Sequence, residues 1–159
     1  MKKFSENGKF NRIEKRSIEA QAIAPVIEMV AKKIGKDEAL EILKEVNQQE
    51  AFKRGQNTIR TKGLGTIEEL VEDVTTWGEG GVWEMKVLEQ TPTTYFFNVY
   101  RCPYYEKYKE KGLEKLGVQL SCCRDEPFAR GLDPKLRLSR TQTIMEGADF
   151  CDFRYYLDE

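Results

Sequence analysis

Apolar positions along the chain follow two different periods. From Ser17 to Trp77 they recur every three or four residues, the spacing of an amphipathic helix. SIEAQAIAPVIEMVAKKIG (17–35) opens on a Ser17 cap and closes on Gly35, with Pro25 expected to kink it. A second helix over 36–60 carries a stripe of Ala39, Ile42, Leu43, Val46 and Phe52. Thr66 and Glu69 have capping-box spacing for a third, TIEELVEDVTTW. GEGG (78–81) then breaks the pattern, and the period shortens. VWEMKVLEQ (82–90) and TTYFFNVY (93–100) are aromatic and β-branched around a Thr-Pro turn, a hairpin signal. CPYYEKYKEKG and LEKLGVQLSCCRDE read as two further helices, with Pro127 ending the second. LRLSRTQTIM (136–145) and FCDFRYYL (150–157) read as a second hairpin around Gly-Ala-Asp. The order ααα-ββ-αα-ββ predicts an α+β domain, its helices packed on one face of a four-stranded antiparallel sheet.

Composition narrows this. At 159 residues, 40% hydrophobic, the chain suffices for one globular domain without disulfide staples. The net charge of −1 gives no basic face for nucleic acid. MKKFSENGKFNRIEKR is mildly basic, lacks the apolar core of a signal peptide, and reads through about residue 11 as a flexible lead-in. AQAIAPVIEMVA is too short to span a bilayer, so a cytoplasmic protein without a membrane partner is expected. The four cysteines, Cys102, Cys122, Cys123 and Cys151, are then expected as thiols. No CxxC spacing occurs and no histidine is present, so neither a metal nor another cofactor is expected. The helical half leaves room for a homodimer.

Three places carry candidate chemistry. Cys102 precedes Pro103 at the start of a helix, an N-cap whose free N–H groups favour a thiolate; a half-buried inert thiol fits the same residues. Alternation puts Asn98, Tyr100 and Cys102 on one sheet face. Cys122 and Asp125, three apart on a helix, pair a thiol with a carboxylate, as nucleophile and base or as a grip on an amine. Arg140 and Gln142 share a strand face with Leu138 and Ile144. A buried guanidinium needs a partner: Asp125, Glu146 or Asp149, or else the carboxylate of a ligand.

RCPYYEKYKEKG, LSCCRDEPFARG and LSRTQTIMEGADFCDFRY together resemble the L-2-amino-thiazoline-4-carboxylic acid hydrolase family, over roughly residues 12–157. The closing Gly147, Cys151 and Phe153 are also similar to the end of 4-vinyl-reductase-like small-molecule-binding domains, which implies the same fold. The resemblance implies that a small-molecule substrate, a cyclic aminothiazoline, is opened to N-carbamoyl-L-cysteine. It carries catalytic roles to Cys102, Cys122, Asp125 and Glu146, and substrate contacts to Arg140, Thr141, Thr143, Asp149 and Cys151. Asn98 and Gln142 join the substrate contacts through the faces they share. Arg140 would hold the carboxylate, an acid would pair with the amidinium, and either a thiol or water would attack the ring carbon. The alternative is a sensor domain that binds a small molecule and breaks no bond.

Overall fold

The computed structural model of the chain describes residues 10–62 and 65–158, with the backbone alone for 59–62. The lead-in expected over residues 1–11 therefore lies mostly outside the described residues. Helix α1 (Arg12–Ile34) begins a turn and a half before Ser17. Asn11 caps it: its Oδ1 accepts the Glu14 N–H at 2.9 Å, and Glu14 Oε2 accepts the Asn11 N–H at 3.0 Å. Ser17 is instead buried, and its carbonyl accepts Gln21 Nε2. The added turns put Arg12 and Arg16, four apart, on one helix face. Pro25 does not divide the helix. It lies on the solvent side with Gln21, whose carbonyl loses its N–H partner where water can replace it.

Helix α2 (Lys36–Lys62) follows directly, and α3 (Thr66–Thr75) starts at Gly65, whose N–H donates to Glu68 Oε2. Glu69, assigned to that cap from its spacing, is buried, and the Thr66 hydroxyl is held by Asp133 Oδ2 at 2.9 Å. A 3-10 turn at Thr76–Gly78 leads into strands β1 (Glu84–Gln90) and β2 (Thr94–Arg101). Helix α4 (Pro103–Glu110) comes next.

The helix expected over 113–126 is broken into a 3-10 turn at Glu114–Leu116, a single turn α5 (Gly117–Leu120) and another 3-10 turn at Cys122–Arg124. Helix α6 (Asp125–Leu132) starts where an end was expected. Pro127 lies in its first turn, where a missing N–H leaves no intrahelical bond unmade. Gly55 on α2 and Gly131 on α6 make this helix pair close-packed: a Cβ on Gly55 would meet Phe128 O at 2.3 Å, and one on Gly131 would meet Phe52 O at 2.2 Å.

Strands β3 (Leu136–Ser139) and β4 (Cys151–Leu157) complete an antiparallel sheet of order β1-β2-β4-β3. Phe97 opposite Phe153 and Tyr95 opposite Tyr155 fill its helix-facing side; the first pair stacks at 4.8 Å. Each such ring contributes on the order of 2 kcal/mol by leaving water. Helices cover this one face, so the α+β architecture expected from the pattern is the one observed. β3 is shorter than expected. The Thr141 and Gln142 N–H groups donate to the Asp152 carboxylate at 3.0 and 2.9 Å, so the ladder stops at Ser139. The chain then coils to a 3-10 turn at Ile144–Glu146 capped by Thr143. Among the described residues no helix is long and apolar enough to cross a membrane.

Candidate active site

Between the helix layer and the sheet lies a hollow of about 80 Å³. One water needs roughly 10–15 Å³ measured in this way, so the space suits a small molecule. The early end of β3 lets Arg140 turn into it. Its Nη1 lies 2.5 Å from Asp125 Oδ2, its Nη2 donates to the Cys122 carbonyl at 2.9 Å, and its guanidinium sits 5.0 Å from the centre of the Phe153 ring. Both members of the pair keep less than a fifth of their side-chain surface exposed. Burial pushes the Asp125 carboxyl above its usual range, and Arg140 offsets part of that rise.

Cys122 and Asp125 do meet at the hollow, but not on one continuous helix. The 3-10 turn eclipses residues three apart and hands over to the first residue of α6. Cys102 and Cys151 line the same space. Cys102 is the N-cap of α4, as its sequence context suggests, yet its thiol is no thiolate. Burial pushes it up to about 12, against the pull of the Tyr104 and Tyr105 backbone N–H groups. Burial also raises Cys122 well above the ordinary thiol and raises Cys151, whose Sγ accepts the Ile144 N–H at 3.2 Å. Cys123 points away and donates to Gln119 O.

A second hollow, of about 370 Å³, lies across the wall formed by Cys122 and Arg140. Thr141, Gln142, Thr143 and Glu146 face it, together with Lys44 and Glu126. Thr143 is buried and donates to Glu146 Oε2 at 2.7 Å, while Gln142 Nε2 donates to Phe150 O. Thr141, Gln142 and Thr143 thus stand apart from the first hollow, as do three further candidates. Glu146 belongs to the second one, and Asp149 is exposed in the turn before β4. Asn98 is on the sheet's other face, where its Oδ1 accepts Arg154 Nη2 and its Nδ2 donates to Tyr100 Oη. Alternation had grouped Cys102 with Asn98, but Cys102 follows the strand's last residue and turns inward with the helix start.

The sequence reading missed four arginines of the lining. Arg12 and Arg16 from α1, Arg54 from α2 and Arg124 from the turn before α6 all line the hollow. Asp73 neutralises two of them. Its carboxylate accepts from Arg54 at 2.9 and 3.2 Å, from Arg12 at 3.3 Å to each oxygen, and from Trp77 Nε1 at 2.8 Å. Burial acts to raise that carboxyl, but the two guanidiniums outweigh it and hold it below the usual carboxylate range. Among the described residues no group of three or more Cys, Asp or Glu is placed to hold a metal ion.

The sequence matches the L-2-amino-thiazoline-4-carboxylic acid hydrolase family over residues 15–155, nearly the whole chain and every wall of the hollow except Arg12. The chain belongs to that family. No curated protein matches it. Among solved structures it is similar to a trafficking protein particle complex subunit 3 from Naegleria fowleri, covalently bound to palmitic acid. That likeness covers 91% of this chain and 96% of the other, with a TM-score of 0.50 and 12% sequence identity. At that identity it shows a shared fold and nothing about chemistry.

Proposed function

We propose that this family member is a hydrolase that opens a cyclic amidine of the 2-aminothiazoline-4-carboxylate type. The observation that carries the reading is Asp125: a buried carboxyl, raised by desolvation, facing a small hollow and fixed by one guanidinium. A base in such a site abstracts a proton more effectively at neutral pH than an ordinary aspartate.

The chemistry balances with water as the sole co-reactant. Asp125 takes a proton as water oxygen bonds to the ring carbon between sulfur and nitrogen, and the carbon–nitrogen double-bond pair settles on the ring nitrogen, which carries the amidinium proton. The carbon–sulfur bond then breaks with its electron pair on sulfur, which takes the proton from Asp125, while the new hydroxyl releases its proton to solvent and becomes the urea carbonyl. The product is the N-carbamoyl amino acid with a free thiol. Arg140 keeps the carboxylate oriented and favours its ionised form without neutralising it by proton transfer. The protonated thiols favour attack by water over attack by cysteine, because the nucleophilic form of a thiol is the thiolate. The fold relative's palmitic acid does not carry over. A hollow of about 80 Å³ rimmed by guanidiniums matches a small polar anion better than a long acyl chain.

Incubation with 2-amino-2-thiazoline-4-carboxylate tests the reading. Expected are one free thiol per substrate consumed and a product heavier by one water. Binding of the compound with no ring opening would return the protein to the sensor alternative.

A further inference from the structure

The lining of the hollow is over-supplied with donors. Arg124 is mostly buried and donates to Asn47 Oδ1; among the described residues it pairs with no carboxylate. Arg16, beside it at the hollow, is paired among the described residues only with Glu19, whose carboxylate is solvent-exposed. Two more lining residues hold buried N–H groups without an acceptor: Arg54 Nε and Trp83 Nε1. Buried donors without acceptors are costly, and guanidiniums brought together repel. Burial and the nearby Arg16 together bring Arg124 down to about 10, the mark of a cation lacking its counter-charge. Arg140 is the opposite case, its fork already spent on Asp125 and the Cys122 carbonyl.

Resting on the hydrolase reading, we propose that Arg124 and Arg16, backed by Arg54 and Trp83, receive the carboxylate of the substrate, and that Arg140 does not. The substrate then lies in the hollow with its anion toward Arg16 and Arg124 and its amidine carbon toward Asp125. Specificity follows: a ring without an acidic group leaves the donors of this wall unmet and binds weakly.

Calorimetry on the full chain tests this without turnover. The probes are 2-aminothiazole-4-carboxylate, whose aromatic ring resists opening, and its 4-carboxamide. In the wild type the carboxylate is expected to bind roughly 10- to 100-fold more tightly than the amide. Arg124→Gln and Arg16→Gln should each shrink that ratio at least severalfold, whereas Arg140→Lys should preserve it. Melting temperature and far-UV circular dichroism confirm folding, and with two wall variants the loss of one to misfolding leaves the other to decide. Equal binding of both probes, binding of neither, an unchanged ratio in the folded wall variants, or its collapse in Arg140→Lys would each overturn the proposal. Turnover is read separately. Ring opening without any carboxylate preference keeps the hydrolase and removes the wall; a carboxylate preference without ring opening does the reverse.

Discussion

Asp125 lines the hollow and the buried Asp73 holds two of the arginines that line it, and the surroundings of each aspartate give it a different character. Among the described residues Asp73 accepts five hydrogen bonds, two each from Arg12 and Arg54 and one from Trp77, whereas Asp125 accepts one, from Arg140. The first carboxyl is held below the usual range and the second above it. Burial raises both; the number of cations and donors facing each decides the outcome. A saturated carboxylate cannot readily accept a proton and serves as a structural node, tying α1, α2 and α3 together. The under-satisfied one keeps proton affinity for chemistry. Sequence alone would not separate two aspartates of this kind, because the difference lies in partners 15 to 61 residues away.

The largest effect should come from removing the under-satisfied member. Asp125→Asn is expected to lower kcat/KM by about 10²–10⁴-fold, the range for a general base. The fold should survive, since one hydrogen bond to Arg140 can be remade by the amide oxygen. Steady-state kinetics with the aminothiazoline carboxylate measures the first expectation and thermal unfolding the second. Retention of full activity would remove Asp125 from the mechanism.

Asp73→Asn should behave in the opposite way. It strands two guanidiniums and is expected to cost about 3 kcal/mol of stability, within the range for breaking a buried ion pair. Urea unfolding checks it. The pH dependence carries the same contrast. A carboxyl held below its unfolded value lends stability that is fully present above that value and is lost as pH falls through the folded one. Asp125, with its folded value raised, has the reverse sign: its contribution is present below the unfolded value and is lost as pH rises through the folded one. Acid unfolding of the wild type should therefore include a component that Asp73→Asn abolishes and Asp125→Asn leaves.

Arg140→Gln sharpens the comparison from the cation's side. Without the guanidinium nothing offsets desolvation, so the Asp125 carboxyl rises further. The acid limb of kcat/KM, which reports the base losing its proton, should move to higher pH by about 1–3 units, the usual effect of one close opposite charge. An unmoved limb with reduced kcat would mean that Arg140 acts on the substrate directly.

How much of this was legible beforehand divides along the same line. The strands and the first three helices were readable, because hydrophobic period encodes them; a common site for Cys102, Cys122, Asp125, Arg140 and Cys151 was implied by the family resemblance rather than by spacing. Arg12 and Arg16 were hidden by a helix start placed at Ser17: Asn11 with Glu14 is an equally good capping box, but it sits in a segment whose polarity resembles a lead-in. Arg54 and Arg124 each lie on a charged helical stretch where nothing local marks one arginine as inward. Asn98 and Cys102 shared a parity that the strand end breaks. The 140–143 segment alternates like a strand, yet Asp152 takes the N–H groups that a ladder would need.

The smallest expected effect concerns the thiols, and it separates two mechanisms. With its thiol pushed up to about 12, Cys102 is thiolate in only about 10⁻⁵ of molecules at pH 7. Cys122 is raised by burial first and by the neighbouring Asp125 second, so the carboxylate that would activate it as a base also disfavours its anion. If water attacks, Cys102→Ser and Cys122→Ser should each keep kcat within a few-fold of wild type. Intact-protein mass spectrometry during turnover should show no adduct, and iodoacetamide should label these two thiols slowly at neutral pH. A fall of 10²-fold or more in either serine variant, with a trapped adduct on the same cysteine in the wild type, would make the thiol the nucleophile. Asp125 would then be the base that deprotonates it, and the contrast with Asp73 would stand with a different proton at stake.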